Sequence, residues 1–332
     1  MGRVLLVAGG LGPHMGAGAA RDAAARGLTR AGWEVTGAAL WLGEPGTVEG
    51  MVRQVGGRVH TVPARGGEPI RFGILSDQTA IVDRTAVREH STDRLAVVLR
   101  QVWALHPRRV LLALGGIRQS DFGRGLYEGL EVAPGPGVGR AALPSPVTYL
   151  AMEPSTVPVA GLRAREWVTR LEVWRGRPVG HYTGELGPAL AALGVDARPA
   201  APYLASYLKA SAVAVQADWV LAVTPAVGPV GYGGVVPWAA ETARRTRRPT
   251  WIATGQLARG YQDVYRVGPV GLYSWLDQVQ TVRQSERRAV TMVEQAAYRL
   301  GVFMGAVVGP GGGSPGPHRR ERSVVGDGIR NP

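Results

Sequence analysis

A short apolar run, Val110 to Leu114, is preceded by Arg108 and Arg109 and closed by Gly115-Gly116. A run of that length bounded by glycine has the pattern of a buried strand ending in a tight turn. Beyond the turn, Leu126 and Leu130 are one helical turn apart, which predicts a helix beginning near Gly125. Strand, glycine turn with one acid (Asp121) and helix together form the unit from which α/β sheets are built. Such a unit offers polar groups at the carboxyl end of its strand. Glycines at that turn also let backbone N–H groups approach an anion closely, although many such turns only reverse the chain.

The same unit recurs at both ends of the chain. Arg3–Ala8 reads as a strand running into GGLGPHMGAGAA and then an Ala-rich helix of about four turns. The turn lacks the Gly-Lys-Ser/Thr ending of a P-loop. Residues 34–40 read as a second strand, followed by the glycine loop WLGEPGT. Extended segments frame a Gly/Pro-rich turn between Arg58 and Asp83, where Asp77 is the expected turn residue. Leu95, Leu99, Val102 and Leu105 form a helical stripe. Near the end, strands are expected at 219–223 and 249–257 and helices after Pro237 and over 285–304, with Pro237 placed to start a helix.

Composition excludes several chemistries. There is no Cys, so disulfides, thiolate metal sites and Cys nucleophiles are ruled out together. The 6 His are scattered, none at i, i+3 or i+4 spacing, and no metal ligands are assigned. No Gly-x-Ser-x-Gly elbow occurs. No apolar run is long enough to span a bilayer, and MGRVLLVAGG opens directly on a strand-like run without a cleavage pattern. The expectation is a cytoplasmic protein without a membrane partner. The net charge of +13 comes almost wholly from Arg, since Lys209 is the only Lys. RRTRRP and HRRER carry no interleaved aromatics and match no nucleic-acid-binding motif, so no nucleic-acid partner is expected.

The stretch 109–130 resembles the glycerate kinases of the bacterial type I family, in which a strand leads into Gly-Gly-Ser-Ala-Thr-Asn-Asp-Gly-Gly-Ala-Gly. Gly115, Gly116, Asp121, Gly123 and Gly125 fall on matching positions, while Ser120 replaces the Asn and Phe122 a Gly. Thr92 keeps its place in the helix start just upstream. GILSDQTAIVD resembles the family's Gly-x-Leu-Pro-Asp-Gly-Thr-Ala-Val-Ile-Glu strand, with Asp77, Thr79 and Asp83 retained in kind. The segment from Ala217 has the spacing of the family's Ala-Asp-Leu-Val-Ile-Thr-Gly-Glu-Gly-Arg-Leu-Asp. Asp218 there reads as a turn or cap residue.

The resemblance implies two α/β domains. A flavodoxin-like parallel sheet would be built from 1–63 and 199–308, with 64–198 an inserted second α/β domain. The remaining 309–332, rich in Gly and Pro and without periodicity, reads as a disordered tail. The implied activity is ATP-dependent phosphorylation of glycerate, or a similar small organic acid, with Mg2+ as the metal. The implied catalytic pair is Asp121 with Arg118, the alternative being a surface ion pair. Candidate substrate- or phosphate-binding residues are Gly115, Gly116, Ser120, Gly43, Glu44, Thr47, Gly10 and Gly12.

Several family charges are replaced. Leu42 and Pro45 stand where two acids belong, and Thr224, Ala226, Gly228 and Val235 replace Glu, Arg, Asp and Lys. The lysine of the first loop is gone. Glu44 reads either as a partial substitute or as an acid favouring the positive end of the next helix, and we take the second reading. Phosphoryl transfer depends on such charges, and each loss typically costs about 10²–10³ in rate. Three readings stay open: a kinase tolerating the changes, a degenerate member binding a small anion or a protein partner, and an unrelated reaction in the same cleft.

Overall fold

The structure, a computed structural model, describes residues 2–12, 15–63, 68–87, 91–115, 121–131, 143–151, 166, 186–229, 233–277 and 282–308. Along the chain run β1 (Arg3–Ala8), α1 (Ala17–Arg30), β2 (Glu34–Ala39), α2 (Thr47–Val55), β3 (Gly57–Val62), β4 (Ile70–Leu75), β5 (Thr79–Asp83), α3 (Asp93–Ala104), β6 (Arg109–Ala113) and α4 (Arg124–Leu130). Then follow β7 (Val147–Ala151), α5 (Gly187–Ala192), β8 (Asp196–Pro199), α6 (Ala200–Tyr207), α7 (Ala210–Gln216), β9 (Trp219–Val227), α8 (Val235–Thr246), β10 (Thr250–Leu257), β11 (Gly271–Ser274) and α9 (Val282–Val308).

The first sheet has the order β11-β10-β9-β1-β2, all parallel. Counted within that sheet this is the flavodoxin-like order 2-1-3-4-5, with its switch point between β1 and β9. Both ends of the chain meet there, Val4 opposite Trp219 and Ala8 opposite Val223. β1 is continuously apolar because helices cover both faces. Leu5 and Val7 face one core with α8, while Val4, Leu6 and Ala8 face another with α1 and α9. Alanines on α1 let that pair approach closely: a Cβ on Gly27 would lie 2.1 Å from the carbonyl of Glu294.

The second sheet has the order β3-β4-β5-β6-β7-β8. β3, β4 and β5 form an antiparallel meander, and β5 to β8 are parallel. Asp77 makes the expected turn before β5, its Oδ1 accepting from the N–H of Thr79 at 3.0 Å. One expectation is corrected here. Residues 57–62 fall within the span 1–63 expected for the first domain, but β3 pairs antiparallel with β4, Gly57 opposite Leu75, as two extended segments framing a Gly/Pro-rich turn. The reason is local: Gly56 and Gly57, with φ of 86° and 135°, send the chain back onto β4 straight after α2.

The two sheets share a core. Leu5 and Val7 of the first belong to the same buried cluster as Ile81, Leu111 and Leu150 of the second, with Met51 and α6 completing it. Trp41 is wedged in this cluster. Its ring lies 3.1 Å, 2.8 Å and 2.2 Å from the Cβ positions of Gly16, Gly18 and Gly50, so a side chain at 18 or 50 would collide with it and one at 16 would crowd it. The other face of the second sheet packs on α3, α4 and α5, where Leu95, Leu99 and Val102 are buried as the stripe predicts. Leu105 falls after α3 and is exposed.

Candidate functional site

The carboxyl ends of β1, β2, β5 and β6 come together where the sheets meet. Gly9 extends β1, donating to Val223, and its Cβ position is 3.0 Å from Val235 at the start of α8. Gly10 lies against Glu44, its Cβ position 3.0 Å from Oε1. Gly43, at φ 108°, presses on the neighbouring loop, its Cβ position 2.2 Å from the amide nitrogen of Gly115. Gly115 itself adopts φ 66°. Gly12, at φ 102°, faces open space. Thus Gly10, Gly43, Glu44 and Gly115 share one edge. Gly116, Arg118 and Ser120 lie outside the described residues.

Three helices start at or beside this edge, and each has a glycine N-cap with no side chain to offer: Gly16 for α1, Gly46 for α2 and Gly123 for α4. The first N–H groups of a helix lack internal partners and carry partial positive charge. Carboxylates from outside the helix serve the starts of α4 and α2. Asp121 serves α4: Oδ2 accepts from Gly125 at 3.2 Å and Oδ1 from Gly123 at 3.1 Å. Oδ2 also takes the N–H and hydroxyl of Thr92 at 2.7 and 2.8 Å, and that hydroxyl in turn accepts from Leu126 at 2.8 Å. Asp121 therefore ties the starts of α3 and α4 together. Its oxygens are engaged by the fold, and Arg118, its partner in the pair implied by the sequence, lies outside the described residues.

Asp83 serves α2. It ends β5, is 2% exposed, and accepts from Thr85 N–H at 2.9 Å and Thr85 hydroxyl at 2.6 Å through Oδ1. Oδ2 accepts weakly from Val48 N–H at 3.4 Å. Burial raises its pKa, against the Thr85 and Val48 hydrogen bonds, and nearby Glu49 adds to the rise. Sequence reasoning matched Asp83 to the family without assigning it to the site. The signal was there, an acid closing the apolar run TAIV beside Ala113.

Glu44 stands in the loop just before α2. The N–H and hydroxyl of Thr47, the first residue of α2, are taken by the main-chain carbonyl of Glu44 at 3.1 and 2.6 Å. Thr47 is fully buried, and its hydroxyl is spent on this turn. The Glu44 side chain turns back instead: Oε2 accepts from Leu42 N–H at 2.8 Å. Burial raises its pKa above 4.5, opposed by the N–H groups of Glu44, Leu42 and Ala17 and by the charge of Arg84. Ala17 is the first residue of α1. Oε1 is buried with no hydrogen-bond partner among the described residues.

The edge is thus built of glycine turns and helix starts, two of which are bonded to Asp121 and Asp83. Architecture and edge together define a two-domain α/β fold of the glycerate kinase kind. The crystal structure of a protein described as "putative glycerate kinase 2" from Salmonella typhimurium LT2 shares this fold at TM-score 0.70, over 94% of this chain and 100% of that chain, with 15% identity. No protein-family model matches the chain, and no curated protein matches it in sequence. Among the described residues no helix is long and apolar enough to cross a membrane.

Proposed function

We propose that the protein binds a small organic acid, glycerate or a close relative, on the edge where the two sheets meet, and that it belongs to the phosphotransferase class. The observation supporting this is the convergence of Gly10, Gly43 and Gly115 on one edge, beside the starts of α1 and α2. Backbone N–H groups there suit a carboxylate or phosphate without side-chain cations. The fold shared with the Salmonella protein supports the kinase class.

ATP and Mg2+ are the donor and metal that this fold implies. The described residues do not fit the metal: no group of three or more His, Cys, Asp or Glu among them could hold an ion. Asp121 and Asp83 spend both oxygens on protein donors, and the spare oxygen of Glu44 is buried. The same engagement of all three acids favours a second reading, binding without turnover.

Calorimetric titration with glycerate and with ATP–Mg2+, beside a coupled kinase assay, separates the two. Glycerate heat with ordinary turnover supports the kinase. Glycerate heat with turnover near background supports the binding protein. Silence in every titration defeats both and leaves a protein partner as the reading to pursue.

A further inference from the structure

The last two turns of α9 read GVFMGAVV, a run without a polar side chain. A helix that is apolar on every side is normally covered on every side. Here only one side is. Met304 is buried in the core that α9 forms with α1 and the first sheet, and Gly301 meets Ala31 just past the end of α1. Val302, Phe303 and Val307 are 51%, 51% and 64% exposed. Phe303 rests edge-on against Trp251, the ring centres 6.0 Å apart, near the amino end of β10. The patch therefore lies at the amino ends of the first sheet's strands, the opposite end from Gly9 and Gly10.

Cations surround it. Arg299 stands one turn before Phe303 on α9. Arg30 lies over the Tyr298 ring at 4.2 Å and pairs with Glu294 at 3.6 Å. Arg247 and Arg248 lead into β10, and Arg3 opens β1. Arg3, Arg247 and Arg299 are exposed, and their guanidinium groups form no ion pair among the described residues. The acids at these strand starts are Glu34 and Asp218, and Asp218 accepts from the N–H of Arg3 at 2.7 Å. Exposed apolar side chains inside a ring of cations fit a surface that is anionic outside and apolar beneath, which is what anionic lipid presents. A second copy fits poorly. A two-fold contact would set these cations against their own copies, on a chain of net charge +13. Nucleic acid offers the anions but no apolar layer for Val302, Phe303 and Val307.

We propose that the amino end of the first sheet docks on an anionic phospholipid surface. Val302, Phe303 and Val307 enter the interface, and Arg247 and Arg299 meet the headgroups. The contact is peripheral, since no helix among the described residues is long and apolar enough to cross a membrane. The expectation of no membrane partner drew on the lack of a span, which a surface contact does not need. Docking here leaves the carboxyl ends of β1 and β9 turned away from the lipid, so the proposal is independent of any ligand bound there.

The chain has no Cys, so Val307→Cys can carry a single polarity-sensitive dye. Full-length protein is mixed with phosphatidylglycerol vesicles, phosphatidylcholine vesicles and single-stranded RNA. Phosphatidylglycerol should move the emission to the blue and carry unlabelled protein down on sedimentation, less so as salt is raised. Phosphatidylcholine should bind at least about tenfold more weakly. Phe303→Ser should lower the affinity for anionic vesicles about tenfold, as should Arg247→Glu combined with Arg299→Glu. The charge variant carries the test if Phe303→Ser, without its contact to Trp251, folds poorly. Anionic vesicles that sediment without the protein, or equal binding by all variants, overturn the proposal. Three further outcomes also overturn it. A dye shift that grows with protein concentration alone puts a second copy on the patch. A shift on deleting residues 309–332 puts the chain's own continuation there. RNA binding without vesicle binding makes the cations a nucleic-acid surface.

Discussion

Two loops of the same edge use the same ingredients to different ends. The Asp121 loop and the Glu44 loop each combine a glycine turn, one acid and the start of a helix. In the first, each carboxylate oxygen has a donor and the acid binds two helices together. In the second, one oxygen has a donor and the other has none. A lone acid in a glycine turn therefore does not identify a catalytic group. The count of its filled and unfilled acceptor positions tells how firmly each acid is held.

The comparison can be broken most easily at Gly43. A methyl there collides with the backbone of Gly115 in a left-handed conformation, so Gly43→Ala should cost more than about 3 kcal/mol in denaturant unfolding. Gly12→Ala, equally left-handed but facing open space, should cost only about 1–2 kcal/mol. Equal losses would show that the two loops are not pressed together.

Asp121→Ala removes the tie between α3 and α4 and should cost about 2–3 kcal/mol, seen as a lower midpoint with an unchanged slope. A fully stable Asp121→Ala that has lost kinase turnover would restore the catalytic reading of this residue.

For Glu44 the sharper measurement is pH dependence. Its folded-state pKa is raised, so the folded protein holds that proton more tightly than the unfolded chain does. Stability of wild type relative to Glu44→Gln should be greatest below about pH 4.5 and decline as pH rises through the raised value. A relative stability that climbs with pH would mean a carboxylate better satisfied than Oε1 suggests.

The smallest effect is expected at Tyr207. Burial, with the neighbouring Asp77 charge, pushes its pKa to about 12, and its buried hydroxyl lies beside Thr79 and Asp77 without reaching good hydrogen-bond geometry. Tyr207→Phe should change stability by less than about 0.5 kcal/mol and remove the last tyrosine from an absorbance titration. A larger loss would reveal a bond that this hydroxyl makes.

Periodicity and glycine placement carried much of the architecture. β1 was readable to the residue, because a central parallel strand is apolar throughout and ends where Gly9 begins. The joining of both chain ends in one parallel sheet was also legible, through the resemblance. β3 was readable as an extended segment beside a turn, but its sheet was not, since the glycine pair before it sends it back onto β4. At the site, the glycines could be read but the acids could not. The bond between Thr92 and Asp121 spans 29 residues, and the Glu44 side chain turns back to Leu42 while its carbonyl takes Thr47. Neither follows from spacing.

The seating of Trp41 has a consequence for how such a chain can drift in sequence. The indole occupies volume that side chains at positions 16, 18 and 50 would otherwise claim, so those four positions form a single unit of substitution. A lineage that exchanged the tryptophan for a smaller residue would release three glycines at once, and each would be free to gain a side chain and stiffen its helix. The reverse path is closed: once position 18 or 50 has a Cβ, a tryptophan at 41 no longer fits in this seat. Related sequences should therefore fall into two groups, tryptophan with three glycines or a small residue with none required, and intermediates should be rare.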